Sequence, residues 1–509
     1  MEAQLQLWAE YCFGKGVRIC TFVVRSVFST RFHHLIYHYS KEILTLREKA
    51  PVLACLVVLF FVLALPTKAQ EQAAVPLQLP AAVETALQNY PAIRAAQANA
   101  QAAAAGVDLS RTALQPKVDF LWQQNIASRN NVFGLLLPQS VFPSIPGPAL
   151  GTSNFASAFG SATGILVSYE PFDFGQRQAT VDLARATSQQ AATQIAVTRL
   201  DVAVTAADAF LACLASDQAV RIVQANVERL EIFSKAVHVL VDNQLRPGVD
   251  ASRTDAELSG MRNQLIQAEQ TAALARATLA EAVGQAGAAL TIDAAQLLEL
   301  PPDKPIAPTA DFARHPFALA QQSLLDTIRA RQSILARSYY PKFNWQSALF
   351  ARGSGAFVDG SLRYTRGYYP DTANWATGLS LSFSPTDIFG LRAKKKIESF
   401  NYSAEQARYD QTLQRLKASD AKAKVMLEAA RKLAANAPLQ LKAAQETELR
   451  IRARYQAELA TVTEVAEAQR LLTQAEIETA LAKLSVWRAL LAQAKANGDL
   501  TPFLELLKR

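Results

Sequence analysis

Histidine and cysteine are scarce in this 509-residue chain, with five and four copies. Four cysteines exclude a disulfide-rich scaffold, and five histidines leave little for a histidine-built metal centre. The sequence has no HExxH, no CxxC, no GxxxxGK phosphate loop and no GxSxG elbow, so no enzymatic constellation and no cofactor site stands out. Glycine is also sparse, at 20 residues, while alanine is abundant. That balance favours long helices with small side chains at their contacts. Long hydrophobic runs are missing except for one. A mean hydropathy of +0.05 is too polar for a bundle of membrane-spanning helices.

The one apolar run is Pro51 to Leu65, preceded by Arg47 and Lys49 and followed by Pro66-Thr67-Lys68-Ala69. Basic flank, short apolar core and small residue at the break fit a secretory signal cleaved after Ala69. An uncleaved anchor is the alternative, but 15 residues are short for a span. Residues 1–69 are therefore read as an N-terminal extension plus signal peptide. Cleavage would leave Cys213 as the lone cysteine, suited to burial as a small hydrophobe. Residues 70–509 carry 44 Lys and Arg against 40 Asp and Glu, with no basic tract for nucleic acid.

What remains repeats itself. Asn89-Tyr90-Pro91 opens a helical run closed by Leu114-Gln115-Pro116-Lys117; Arg314-His315-Pro316 opens another closed by Tyr339-Tyr340-Pro341-Lys342. Both proline pairs are 25 residues apart. Gly164–Asp173 matches Gly378–Asp387, and Gln267-Ala268-Glu269 matches Gln474-Ala475-Glu476. Several matches in one order argue for duplication. Each half reads as helix, strand, long loop, strand, very long helix, tight break, helix. The first repeat spans 70–286, with strands at about 116–128 and 162–174 and a helical hairpin over 176–286. A linker over 287–311 follows. The second spans 312–497, with strands at about 341–352 and 375–385 and a hairpin over 392–497, before a tail at 498–509.

The strands alternate. Trp375, Thr377, Leu379, Leu381 and Phe383 oppose Ala376, Gly378, Ser380, Ser382 and Ser384. Such strands suit either a closed membrane barrel or a sheet over a soluble core. Four strands cannot close a useful barrel, so several chains would have to pool them. Aromatics near the strand ends (Phe172, Phe174, Tyr339, Tyr340, Tyr368, Tyr369, Trp375) would form a girdle at a membrane interface, or ordinary cross-strand packing on a soluble sheet. From Gln176 to about Leu245 there is neither proline nor glycine, giving a helix of roughly 105 Å. Adding lengths pairs 249–286 end to end with 312–338, and 459–497 with 79–114, alongside the two long helices. Segments 287–311 and 498–509 would form a collar at mid-length. Asp173 and Asp387, after matching prolines, would cap the long helices, and Pro438 would kink the second.

The chain resembles the TolC-like outer-membrane efflux proteins over roughly 77–497. The resemblance rests on Ala86-Leu87-Gln88-Asn89-Tyr90-Pro91 and its His315-Pro316 counterpart, Leu114-Gln115-Pro116, the Tyr169-Glu170-Pro171-Phe172-Asp173-Phe174-Gly175 strand exit, and the doubled order. It implies a mixed α/β membrane protein: a homotrimer whose long α-helical coiled-coil barrel joins a transmembrane β-barrel, four strands per chain. It implies an exit duct in the bacterial outer membrane, with outer-membrane lipid around the strands and the tunnel in the periplasm. Its partners would be a periplasmic adaptor and, through it, an inner-membrane efflux pump. A type I protein-secretion duct, or a coiled-coil structural or adaptor protein, are the alternatives. The hairpin tips should lie near Gln244–Val249 and Tyr455–Ala460. Gly248 would free the first return, whereas Glu458 stands where the family commonly has glycine. Asp250, Asp255, Glu257, Glu458 and Glu464 are candidates for a ring of lumen carboxylates favouring cations. Arg246, Arg253 and Arg454 are candidates for ion pairs holding a closed state. Charge on a helix surface is ordinary, so each of these eight charged residues is a hypothesis.

Overall fold

A computed structural model of the chain describes residues 76–128, 156–302, 311–357 and 361–507. The signal segment, most of the first inter-strand loop and residues 303–310 of the linker lie outside the described residues. Helices α1 (Leu79–Asn89) and α2 (Pro91–Thr112) lead to strands β1 (Lys117–Ser128) and β2 (Ser157–Phe172). Then come α3 (Gln176–Asp242) and α4 (Gly248–Ala282). The second repeat supplies α5 (Pro316–Arg337), β3 (Lys342–Ser354), β4 (Thr372–Ser382), α6 (Asp387–Gln456) and α7 (Val462–Asn497), and a short α8 (Thr501–Glu505) ends the chain. Among the described residues no helix is long and apolar enough to cross a membrane.

Local chemistry sets the breaks. Tyr90 is extended at ψ 124° between α1 and α2, because Pro91 bars the residue before it from the helical region. The expected single helix over 79–114 is therefore two. His315 is extended in the same way before Pro316, and its side chain accepts from Phe317 N. Pro438 lies inside α6, whose helical assignment continues across it. At the start of α3, the Asp173 carboxylate accepts from Gly175 N at 3.0 Å and Arg177 N at 2.7 Å. Asp387 does not repeat this role. It is already the first residue of α6, and Thr386 before it makes no side-chain cap bond. Phe174 and Gly175 are left-handed at φ 51° and 81°. They turn the chain so that Asp173 faces the free helix N–H groups. The second repeat shows no left-handed residue there.

The strands form an antiparallel meander, β1-β2-β3-β4. Register carries one row across the sheet, Phe120–Ile165–Leu349–Trp375. The first and last of these side chains are 71% and 76% exposed. Val118, Trp122, Leu379 and Leu381 share that exposed apolar face. The opposite face carries Asp119, Gln123, Asn125, Asn344, Gln346 and Ser380. Period-two patterning thus gives one apolar and one polar face. At one end, the chain between β3 and β4 folds back: Gly355 N donates to Phe159 O at 2.8 Å, and Tyr368 packs on Phe159 at 4.7 Å.

The helices stand beside one another in one layer order. α2 and α4 flank α3; α5 and α7 each pack between α3 and α6. Their joints differ from the length arithmetic. α4 ends at left-handed Gly284, where a Cβ would lie 3.2 Å from Asn89 at the head of α2. α7 ends at left-handed Gly498, where a Cβ would come within 2.7 Å of His315 at the head of α5. Each repeat therefore closes on itself, stacking α4 on α2 and α7 on α5. The segments are too alike in length for a sum to tell the two arrangements apart. The largest apolar cluster surrounds these joints and includes Phe210, Cys213, Leu279, Leu297, Trp487 and Phe503. Burial pushes the Cys213 thiol up to about 11, as a packed, unreactive sulfur requires. Linker and tail gather there too: Trp487 Nε1 donates to Glu299 O at 3.0 Å, and its ring meets Phe503 edge-on.

Candidate functional site at the hairpin tips

The two long helices end alike. Leu245 N donates back to Leu240 O at 2.9 Å, and Leu459 N to Arg454 O at 2.8 Å. This six-to-one bond closes a Schellman turn and needs a left-handed residue just before the donor. Gln244 fills that position in the first tip and Glu458 in the second, at φ 62° and 63°. Gly248, expected to free the first return, is instead the ordinary first residue of α4. Glu458 is thus no anomaly of the second tip. Both tips place a long polar residue where glycine would relieve roughly 1 kcal/mol of backbone strain.

A small core binds the tips together. Val237 of α3 packs with Tyr455 of α6 and with Ala460, Val462 and Val465 leading into α7. Phe233 meets the Tyr455 ring edge-on at 5.3 Å. Arg246 reaches from the first tip to the second. Its Nη2 donates to Tyr455 O at 3.1 Å, and its guanidinium lies 4.7 Å from the centre of the Tyr455 ring. Burial raises the Tyr455 phenol above its ordinary value; Arg246 partly offsets this, and nearby Asp250 adds to it. Higher up, Arg229 of α3 forms a two-pronged pair with Glu476 of α7, at 2.9 and 2.8 Å.

The remaining candidates are spread around this contact. Arg454 donates to Leu459 O at 3.0 Å, closing its own turn. Arg253 is exposed. Neither they nor Arg246 forms an ion pair among the described residues of the single chain; Arg246 and Arg454 bond to backbone carbonyls, and Arg246 also to a ring. Asp255 pairs with His238 at 2.9 Å and accepts from Ser234 at 3.1 Å. Those bonds, led by that from His238, hold its carboxyl below its ordinary value. Glu257 is exposed on α4 and adds to the field at Arg470 of α7. Glu464 sits at the third position of α7, where its N–H donates to the Thr461 cap at 3.4 Å. Threonine followed by glutamate three residues on is a helix-start signature. Among the described residues no cluster could hold a metal ion.

Sequence reasoning passed over Tyr455, Arg229 and Glu476. Arg229 and Glu476 lie 247 residues apart, beyond any local pattern. Tyr455 had one signal: it stands in the second repeat where the first has Val241.

A family model described as outer membrane efflux protein matches residues 82–285 and 314–499. The chain belongs to this family. Among solved structures it is similar to the outer-membrane channel OprN, with a TM-score of 0.68 at 20% identity, covering 82% of this chain and 89% of that one. It is similar to the CmeC outer membrane channel of Campylobacter jejuni at 0.68 and 14%, covering 82% and 85%. The open state of the MtrE outer membrane channel of Neisseria gonorrhoeae aligns at 0.62 and 16%, covering 83% and 89%. No curated protein sequence matches the chain. This chain is thus an outer membrane efflux protein. A barrel pooled from several chains would close the open four-stranded sheet. Proteins of the family work with adaptor and pump partners. The exposed apolar sheet face suits the outer membrane that the family's description names.

Proposed function

We propose that the tips of α3–α4 and α6–α7 form both the gate of this efflux duct and the surface that meets a periplasmic adaptor. The adaptor in turn joins an inner-membrane pump, which supplies the energy. The observation that carries this reading is the Arg246–Tyr455 contact, which couples one tip to the other. A gate at this end needs the hairpins to separate, and that contact must break for them to do so. The acids Asp250, Asp255, Glu257 and Glu458 lie on the same end of the chain. Repeated three times, they would favour cations at the constriction.

Leu245, Val249 and Leu459 support the adaptor-facing role, because each is an exposed aliphatic side chain at a tip and together they offer apolar contact area. A photo-crosslinking amino acid at each position, in cells carrying the cognate adaptor and pump, tests the surface. The expected product is an adduct between this chain and the adaptor. Adducts to the adaptor from Leu109 near the membrane end, and none from the tips, would overturn it.

A further inference from the structure

Between the two hairpins of one chain lies a cavity of about 320 Å³. One wall is apolar and comes from the end of α3 and its turn: Ile232, Phe233, Leu240 and Leu245. The other is polar and comes from Arg246, Tyr455 and Gln469. That wall is built but unsatisfied. Gln469 is 2% exposed, and neither atom of its amide has a hydrogen-bond partner. Tyr455 is 5% exposed, and its hydroxyl has none either. Arg229 contributes a buried Nε with no partner, although its outer nitrogens hold Glu476. Buried polar groups left unpaired are costly, and a ligand supplying the partners recovers that cost.

The charge of the lining narrows the ligand. Arg229 is neutralised by Glu476, and Arg452 by Glu448. Arg246 has no carboxylate within ion-pair distance; Glu458 also lines the cavity but is exposed at its lip. The unpaired groups are mostly donors: the Arg229 Nε–H, the Gln469 amide N–H and the Tyr455 hydroxyl. Such a wall suits an anionic, acceptor-rich head, and the facing aliphatic wall suits an apolar body.

We propose that this cavity binds an amphipathic organic anion. Its carboxylate or sulfonate sits on Arg246, Gln469 and Tyr455, and its hydrocarbon body lies on Ile232 and Leu245. Nothing in the binding itself depends on the tips being a gate. The regulatory consequence rests on that reading: an anion recruiting Arg246 competes with the Tyr455 carbonyl and ring for the same guanidinium, and so loosens the contact between tips.

The test is titration calorimetry of the trimer in lipid nanodiscs, using naphthalene-2-sulfonate as probe. Neutral 2-naphthylmethanol and a naphthyl-trimethylammonium cation are the comparisons, with empty nanodiscs as blank. The anion is expected to bind saturably, once per chain and at least tenfold more tightly than either comparison. Gln469→Leu and Tyr455→Phe, which keep the volume and leave Arg246 in place, should each weaken it severalfold. Ile232→Gln, at an exposed position, should weaken it by removing apolar contact without adding charge. Equal binding of anion and cation, or binding unchanged in Gln469→Leu and Ile232→Gln alike, would overturn the proposal. Conductance with the probe then separates the two readings: binding without any change in conductance supports the site and overturns the coupling to a gate.

Discussion

Removal of Arg246 is the most informative perturbation, because one side chain spans two tips that are 209 residues apart in sequence. Its guanidinium makes two contacts. A charged donor on a backbone carbonyl contributes about 1.5–3 kcal/mol. A cation over a partly desolvated tyrosine face contributes about 1–2 kcal/mol. The same group makes both and is half-buried, so about 2–3 kcal/mol per chain is a fair sum. That shifts a closed–open equilibrium by about 30- to 150-fold per chain. Arg246→Ala should therefore raise the open fraction of single channels in planar bilayers. Arg246→Lys keeps the charge but loses the planar fork, and should fall between. Tyr455→Phe retains the ring and should leave gating within about 0.5 kcal/mol, since the Tyr455 hydroxyl has no partner to lose. A double-mutant cycle of Arg246→Ala with Tyr455→Ala isolates the ring part alone, about 1–2 kcal/mol, because the backbone carbonyl survives the second change. Conductance of Arg246→Ala indistinguishable from that of the native trimer, with trimers forming normally, would refute the reasoning. So would a coupling energy of zero.

Three further outcomes follow from the same geometry. Gly498→Ala forces φ 78° on an L-residue and drives its methyl to 2.7 Å from His315; the cost should be about 2–4 kcal/mol, seen as dissociation of the trimer at lower temperature on gels, with Gly287→Ala, which meets nothing within 4 Å, the milder control. Burial alone would raise the Asp173 pKa, but bonds from Arg177 and Gly175 outweigh it and hold the carboxyl below its ordinary value. A depressed folded value stabilises above the unfolded value and is lost as pH falls through the folded one. Native trimers should thus lose heat stability from about pH 4 downward, while Asp173→Asn should be less stable at neutral pH and show less of that acid loss. Finally, Asp250→Asn with Asp255→Asn should reduce cation preference in reversal-potential measurements; unchanged preference would sink the carboxylate ring.

How much of this was legible in the sequence differs by element. The lipid-facing row was readable strand by strand, because a half-exposed strand writes its two faces into alternate residues. The duplication was readable from two proline pairs at one spacing. The joints were not: Gly284 and Gly498 mark helix ends, but which helix head each meets depends on packing across the layer. The tips were half legible. Arg246 and Glu458 stood out by position, yet the role given to Gly248 belongs to Gln244, since a left-handed turn residue need not be glycine once neighbouring bonds fix it. Glu464, a candidate lumen acid, also stands in the first turn of α7.

Sequence by itself determined the periodicities, and with them the elements: seventy-residue helices, two-faced strands, proline heads and glycine ends. These are local properties, fixed by φ, ψ and side-chain alternation over a few residues. Tertiary structure decided everything that depends on distance between remote residues. It set α7 on α5 and α4 on α2, brought Arg246 over Tyr455, and left Gln469 buried without a partner beside a cavity. No local rule encodes those contacts, because each is chosen by how two hairpins, written more than two hundred residues apart, come to lie side by side.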